Sequence, residues 1–420
     1  MSEKESKGFT RYQTFIIVLL ATLQFTVVLD FMVLSPLGAI LLKELSISTV
    51  QFGLVVSAYA FSAGASGLLA AGFADKFDRK KLLLFFYTGF VVGTFLCGLA
   101  PTYNFLLMAR IFTGIFGGVI GSISFAIITD IFALEFRGRV MGFVQSAFAL
   151  SQVIGIPLGL YLANLYNWHA PFLLIIGLAV IIGIIIFIYL KPINEHLKIQ
   201  SGQNAFFHLT NVISKPQYLR AFAATTLLAT GGFMLMPFGS AFGVHNLGIS
   251  MSQLPFLYMV TGICMLGFGP LTGLLSDKIG KYKMFIIGSV IASVMTLIYC
   301  NLSVTPLWII LVLNVLLFVG ISARMISASA LMTAVPEPQD RGAFMGVNSS
   351  VQQIAGGIAS LIAGLIVTET STGYIENYPL LGNVVVGAII ITIFLMYGIH
   401  KYVAAKLASV PTSIVSTEVI

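Results

Sequence analysis

Apolar residues in this chain come in long runs separated by short polar breaks, and inside the runs they neither alternate nor keep to one stripe. A helix that crosses a membrane needs roughly 20 mostly apolar residues. About twelve stretches qualify: 13–40, 51–73, 82–101, 104–132, 138–164 and 170–190, then 219–245, 254–275, 283–302, 306–333, 343–368 and 379–403. Strands of a membrane β-barrel would alternate in polarity over ~10 residues, and runs such as Ile175–Leu190 do not. The pattern therefore predicts helices. The apolar run after Arg11 is too long for a signal-peptide core and lacks a small-residue cleavage site, so it reads as the first span.

Composition agrees with the pattern. The 420 residues are 58% hydrophobic and only 9% charged, with a mean hydropathy of +1.00. A soluble domain of this size carries roughly a quarter of its residues charged, so most of this surface must face lipid. The net charge of +7 invites a nucleic-acid reading, but its distribution argues against one. With the N-terminus inside, Lys and Arg gather in the inner segments, from Lys4, Lys7 and Arg11 through Arg137 and Arg139 to Lys401 and Lys406. The exceptions are Lys43 outside and Arg110 and Arg324 within spans. This is the positive-inside asymmetry, with an even number of spans and both termini cytoplasmic. Cys97, Cys264 and Cys300 lie in separate apolar spans without metal-ligand spacing and read as packing residues.

The longest polar interior segment, Lys191 to about Arg220, divides the chain into six spans and six. It separates an N-terminal bundle, 1–192, from a C-terminal bundle with a short tail, 220–420, leaving 193–219 as a cytoplasmic linker. Within that linker Ala205–Ser214 can form a short amphipathic helix. The halves resemble each other. Asp75 opens a cationic turn after the second span and Asp277 one after the eighth, 202 residues on; Arg137-Gly138 and Arg341-Gly342 follow the fourth and tenth spans, 204 apart. Such repeats give many transporters two bundles that move about a central site.

The turn after the second span reads Ala71-Gly72-Phe73-Ala74-Asp75-Lys76-Phe77-Asp78-Arg79-Lys80-Lys81. A short turn of this kind locks helix ends through ion pairs and dipole contacts; its lysines are equally explained as inside-positive residues. The turn resembles the signature of the major facilitator superfamily, with Ala71 and Asp78 where glycines are usual; the eighth-to-ninth turn keeps both, as Gly273 and Gly280. The fourth span's Arg110-x-x-x-Gly114-x-x-x-Gly118 resembles the second signature of that family. Gly155-Ile156-Pro157-Leu158-Gly159 resembles the antiporter signature of its drug:proton branch, in the form seen in arabinose-efflux-like permeases. Asn167-Trp168-His169-Ala170-Pro171-Phe172 is similar to that branch too, with His169 where arginine is common. The resemblance implies an all-α membrane protein with twelve transmembrane helices in two pseudo-symmetric six-helix bundles. It also implies a conformational latch of Asp75, Arg79 and Asp130, with Asp277 as the repeat of Asp75. By their chemistry, Gly114, Gly117, Gly118 and Gly121 allow close helix approach, while Gly155, Pro157 and Gly159 bend the fifth helix.

Three ionisable groups lie well inside spans: Asp30, Arg110 and Arg324. A charge there is expensive unless paired or hydrated. Asp30 falls roughly 22 Å from the inner surface and Arg110 roughly 9 Å below the outer one at ~1.5 Å per residue. In a core ~30 Å thick these depths nearly coincide. The expectation is that they pair and that Asp30 exchanges a proton, the alternative being a static buried ion pair. Arg324 has no carboxylate partner in the sequence. Either it faces an anionic or carbonyl-rich substrate, or it is held by backbone carbonyls or by Asn348, Gln352 and Gln353. Gln24, Tyr59, Gln145 and Gln152, with those three, either line a cavity or satisfy neighbouring helices. His245 at the outer mouth of the seventh span has no second ligand, so no metal is expected.

These features predict a secondary active transporter driven by a proton gradient, without a cofactor, most simply an antiporter that exports its substrate. A proton-coupled importer of a small organic anion is the rival; a membrane-embedded receptor or enzyme is the remote one, since the loops hold no room for a catalytic domain and no catalytic motif appears. The partners expected are a small solute and the bilayer, with no nucleic acid, for a monomer in a bacterial inner membrane.

Overall fold

A computed structural model of the chain describes residues 9–70, 76–198, 205–337 and 340–408. Among these, twelve helices are long and apolar enough to cross a membrane: Arg11–Val33, Thr49–Ala70, Arg79–Gly98, Tyr103–Ile131, Arg139–Leu165 and Ala170–Tyr189, then Pro216–His245, Leu254–Ile279, Lys281–Cys300, Leu307–Met332, Ala343–Ile366 and Tyr378–Lys406. The protein is thus a multi-pass, all-α membrane protein. Helices are the only option for such segments, because lipid offers no partner to an unsatisfied backbone N–H or C=O. Their starts are written locally. Thr10 and Gln13 form a reciprocal capping box at the first helix. Asp78 accepts the Lys81 N–H at the third, and Thr102 that of Phe105 at the fourth.

Two expected spans are cut short. The run 13–40 divides into Arg11–Val33 and a short outer helix Gly38–Glu44; the run 219–245 divides into Pro216–Leu235 and Gly239–His245. Pro36 and Pro237, 201 residues apart, sit in the two breaks. Proline removes an N–H and clashes with the preceding turn, which hydropathy alone does not register. The fifth span is interrupted as well. A π-helical turn, Ser151–Gly155, closes with the Ile156 N–H on the Ser151 carbonyl just before Pro157. The expected linker helix forms at Ala205–Ser214, and Val212 buries itself in the C-terminal half.

Packing differs between the two sides of the membrane. On the side opposite the N-terminus, the outer side in the expected topology, one hydrophobic core draws on both halves, joining Leu34, Phe52 and Phe172 to Phe238, Ala363 and Val367. On the inner side each half has its own core, one around Leu20, Phe86 and Ile127, the other around Tyr218, Phe285 and Phe344, with Leu68 of the second span packed against the latter. Polar contacts seal the outer joint. Ser240 Oγ accepts the Ala39 N–H and donates to the Ser35 carbonyl, each at 3.3 Å, so the two proline breaks meet face to face. Thr49 Oγ1 donates to the Val367 carbonyl at 2.7 Å and approaches the Gly364 carbonyl at 3.2 Å, and Asn164 Nδ2 donates to the Met251 carbonyl at 2.8 Å. A Cβ on Gly262 of the eighth span would stand 2.9 Å from the Gln152–Val153 backbone of the fifth. The halves are joined outside and have separate cores inside.

Candidate coupling and substrate site

The first, second, third and fourth spans converge on one buried polar cluster. Arg110 Nη1 donates to Asp30 Oδ2 at 2.8 Å and reaches the Asp30 carbonyl at 3.4 Å; both side chains are 0% exposed. Thr94 Oγ1 donates to Asp30 Oδ1 at 3.1 Å. The guanidinium lies 4.5 Å over the Tyr59 ring, a cation–π contact strengthened by desolvation. Cys97 stands beside it, its Sγ 3.6 Å from Thr113 Oγ1. Arg110 Nε and Nη2 have no hydrogen-bond partner among the described residues. Close approach of the second and fourth spans makes this possible: a Cβ on Gly114 would lie 2.5 Å from the Tyr59 carbonyl, and one on Gly118 would collide with Ala63.

The cluster has a repeat-related counterpart without charge. The third and ninth helices correspond at an offset of 202, so Thr94 matches Thr296. Tyr59 matches Thr261 at 202, and Arg110 matches Asn314 at the fourth-to-tenth offset of 204. Asn314 Nδ2 donates to Thr261 Oγ1 at 2.8 Å, so the helix contact is kept while the ions are gone. By the proline-break offset of 201, Asp30 corresponds to Gly231.

Arg324, 1% exposed on the tenth span, is brought to that glycine. A Cβ on Gly231 would lie 2.7 Å from Arg324 Nη1, and a Cβ on Gly232 would meet open space. Arg324 Nε and Nη2 are buried without a hydrogen-bond partner among the described residues. The expected alternative, in which Asn348, Gln352 or Gln353 holds the guanidinium, is not what forms. Asn348 takes the Thr225 hydroxyl at 2.6 Å instead, and Gln352 and Gln353 are half-buried elsewhere on the eleventh span.

The remaining candidates are scattered. Gln24 faces the fourth span near Gly121, its Oε1 buried and without a partner among the described residues. Gln152 lies in the π turn against the eighth span, and Gln145 is exposed one helix segment earlier. Gly155 and Gly159 meet Leu29 and Val33, seating the fifth span on the first at the depth of Asp30. At the inner surface Arg79 Nε pairs with Asp130 Oδ2 at 3.0 Å, and the Arg79 N–H caps the Ile193 carbonyl at 3.0 Å. That ion pair staples the third span to the fourth within one half. Asp75 lies outside the described residues, and Asp277 is exposed.

Sequence reasoning overlooked Thr94, Gly231 and a second inner cluster, in which Asp340 takes both Lys215 Nζ and the Tyr218 hydroxyl. Thr94 and Gly231 were findable from the repeat offset; Asp340 has no such signal, because its counterpart is Phe136. Outside the spans, burial pushes the His169 imidazole pKa down, opposed by its hydrogen bond to the Gly98 backbone.

The fold is thus two helical bundles, with a buried ionic cluster inside the N-terminal one. The sequence profile described as the Major Facilitator Superfamily matches residues 20–245 and 221–413. The chain belongs to that family. An uncharacterized MFS-type transporter of Bacillus subtilis, YceJ, is 29% identical over 270 residues, which is 64% of this chain and 68% of YceJ. Multidrug resistance protein 1 of the same organism is 24% identical over 360 residues, covering 83% of this chain and 89% of that protein. Among solved structures, a bacterial homolog of the human lysosomal transporter Spinster, in an inward-facing and occupied conformation, superposes with a TM-score of 0.68 at 16% identity. The match spans 95% of this chain and 97% of that one.

Proposed function

We propose that this protein is a secondary active transporter that exchanges its substrate for protons, with Asp30 as the proton-carrying group. The observation that carries the reading is the wholly buried Asp30–Arg110 pair in the N-terminal half, set against an uncharged Thr261–Asn314 contact at the equivalent place in the C-terminal half. A charge pair kept on one side of a symmetric frame is costly to bury and is not needed for packing, since the other half packs without it. Ionised Asp30 holds Arg110; protonated Asp30 releases it. Rings link that event to the other half: Tyr59 under the guanidinium contacts Phe31 at 5.3 Å, and Phe31 contacts Phe233 of the seventh span at 5.8 Å.

In this reading residues 1–192 and 220–420 rock as bodies joined by the 193–219 linker, and the proton gradient supplies the energy without a cofactor. Asp75, Arg79 and Asp130, with Asp277 in the repeat, latch the inner side when the outer joint opens. Efflux is favoured by the multidrug resistance name of a relative that spans most of the chain. The setting is a bacterial inner membrane with both termini cytoplasmic, and the working unit is a monomer. The test is reconstitution into vesicles with an imposed pH gradient. Wild type should drive substrate against the proton flow, and Asp30→Asn should retain only pH-independent exchange. Undiminished pH-driven transport by Asp30→Asn would show that the proton travels elsewhere.

A further inference from the structure

The C-terminal half carries a buried cation that no described residue neutralises. Repeat correspondence places Gly231 where the other half has Asp30, the carboxylate that holds Arg110. The repeat position of Arg110 on the tenth span is Asn314; Arg324 lies ten residues further on, roughly 15 Å deeper at ~1.5 Å per residue, and its Nη1 would lie 2.7 Å from a Cβ on Gly231. So the carboxylate position is empty of charge in this half, and a guanidinium from a different turn of the tenth span lies against it. Among the described residues nothing acidic forms an ion pair with Arg324; the ion pairs of this half are Lys215 with Asp340 and Lys406 with Glu337, both at the inner surface. Two of the guanidinium nitrogens, Nε and Nη2, are buried without partners among the described residues, and Gly232 beside Gly231 borders open space.

We infer that Arg324 is the recognition point for an organic anion, whose carboxylate or sulfonate takes the place that Asp30 occupies in the other half. Nε and Nη2 share one edge of the planar guanidinium and present the fork that fits two anion oxygens side by side. A lysine would offer a point charge in place of that fork. Depth makes a free solute the ligand: Arg324 lies eight residues before the inner end of its helix, roughly 12 Å along the axis at ~1.5 Å per residue, and is enclosed by protein. A cationic substrate would meet a desolvated like charge at this point. The inference rests on the transporter reading for the site but not on Asp30 as the proton carrier.

The test uses the purified full-length protein and five small probes: benzoate, 1-naphthoate and benzenesulfonate as anions, with benzamide and benzyltrimethylammonium as neutral and cationic controls. Thermal shift and titration calorimetry read the binding. The anions should stabilise the wild type and the controls should not. Arg324→Gln should weaken the anions at least tenfold, and Arg324→Lys should fall between. Gly231→Ala keeps every charge but pushes its Cβ into Nη1, and should also weaken the anions; it decides the matter if Arg324→Gln does not fold. Asp30→Asn should bind the anions as the wild type does, which separates this inference from the proton-carrier reading. A wild type indifferent to all three anions, or anion binding unchanged in both Arg324→Gln and Gly231→Ala, would overturn it.

Discussion

Removing Asp30 alone should be far more damaging than removing it together with its partner. In Asp30→Ala the Arg110 guanidinium loses its one short charged contact, at 2.8 Å, and its Nε and Nη2 are already without partners. What remains is a fully buried cation with a long 3.4 Å contact to the residue 30 carbonyl, the Tyr59 ring and the Cys97 thiol beside it. Breaking a buried pair from one side costs about 3–5 kcal/mol, because the surviving charge is left uncompensated. Arg110→Met should cost less, since the orphaned carboxylate keeps the Thr94 hydroxyl at 3.1 Å and can take up a proton in place of its lost partner. The double variant Asp30→Ala/Arg110→Met removes both ions and should recover much of the loss, as the uncharged Thr261–Asn314 contact does naturally in the other half. The expected coupling energy in the double-mutant cycle is about 2–3 kcal/mol. The assay is reversible unfolding of the four proteins in mixed micelles under identical detergent. Additive single-variant effects, with coupling below about 0.5 kcal/mol, would mean that the two ions are not an energetic unit, and the argument from asymmetry would collapse.

Two further outcomes follow from the outer joint. Thr49→Val deletes the hydrogen bonds to the Gly364 and Val367 carbonyls that cross between halves; losing about 1 kcal/mol of net bonding should shift the balance roughly fivefold toward the outward-open state, read as faster labelling of a cysteine placed at Ala363, which is buried in the outer core. Labelling at the wild-type rate would show that the threonine does not hold the joint. His169 should make the fold less stable in mild acid: burial lowers its pKa, so the unfolded chain binds the proton more readily, and stability rises with pH up to the unfolded value near 6.5. His169→Gln should flatten the melting temperature across pH 5–7; an unchanged slope would assign it to another group.

Much of the site was legible because membrane cost makes ionisable residues conspicuous. Asp30 and Arg110 could be matched by depth alone, since two helices of known direction fix the height of each residue. The pairing of Arg324 could not. Depth gives height but not azimuth, and Asn348, which seemed a natural partner, is turned to Thr225. The broken outer ends were written in Pro36 and Pro237, yet hydropathy averages over them and carries the span through. Gln24, Gln145 and Gln152 were grouped as one lining, but they end up on three different surroundings, because a rotation of 100° per residue sends neighbouring side chains to different neighbours.

The sequence by itself determined the number of spans and the twofold internal repeat, because each follows from local rules: apolar length against bilayer thickness, and recurrence at a near-constant offset. Only the tertiary structure decided which charges meet, that the halves share a core outside and divide it inside, and that a guanidinium lies against the glycine that stands for Asp30. Those depend on helix rotation and on approach distances set by residues such as Gly114, Gly118 and Gly231. Such distances arise from packing many side chains at once, and no single stretch of chain encodes them.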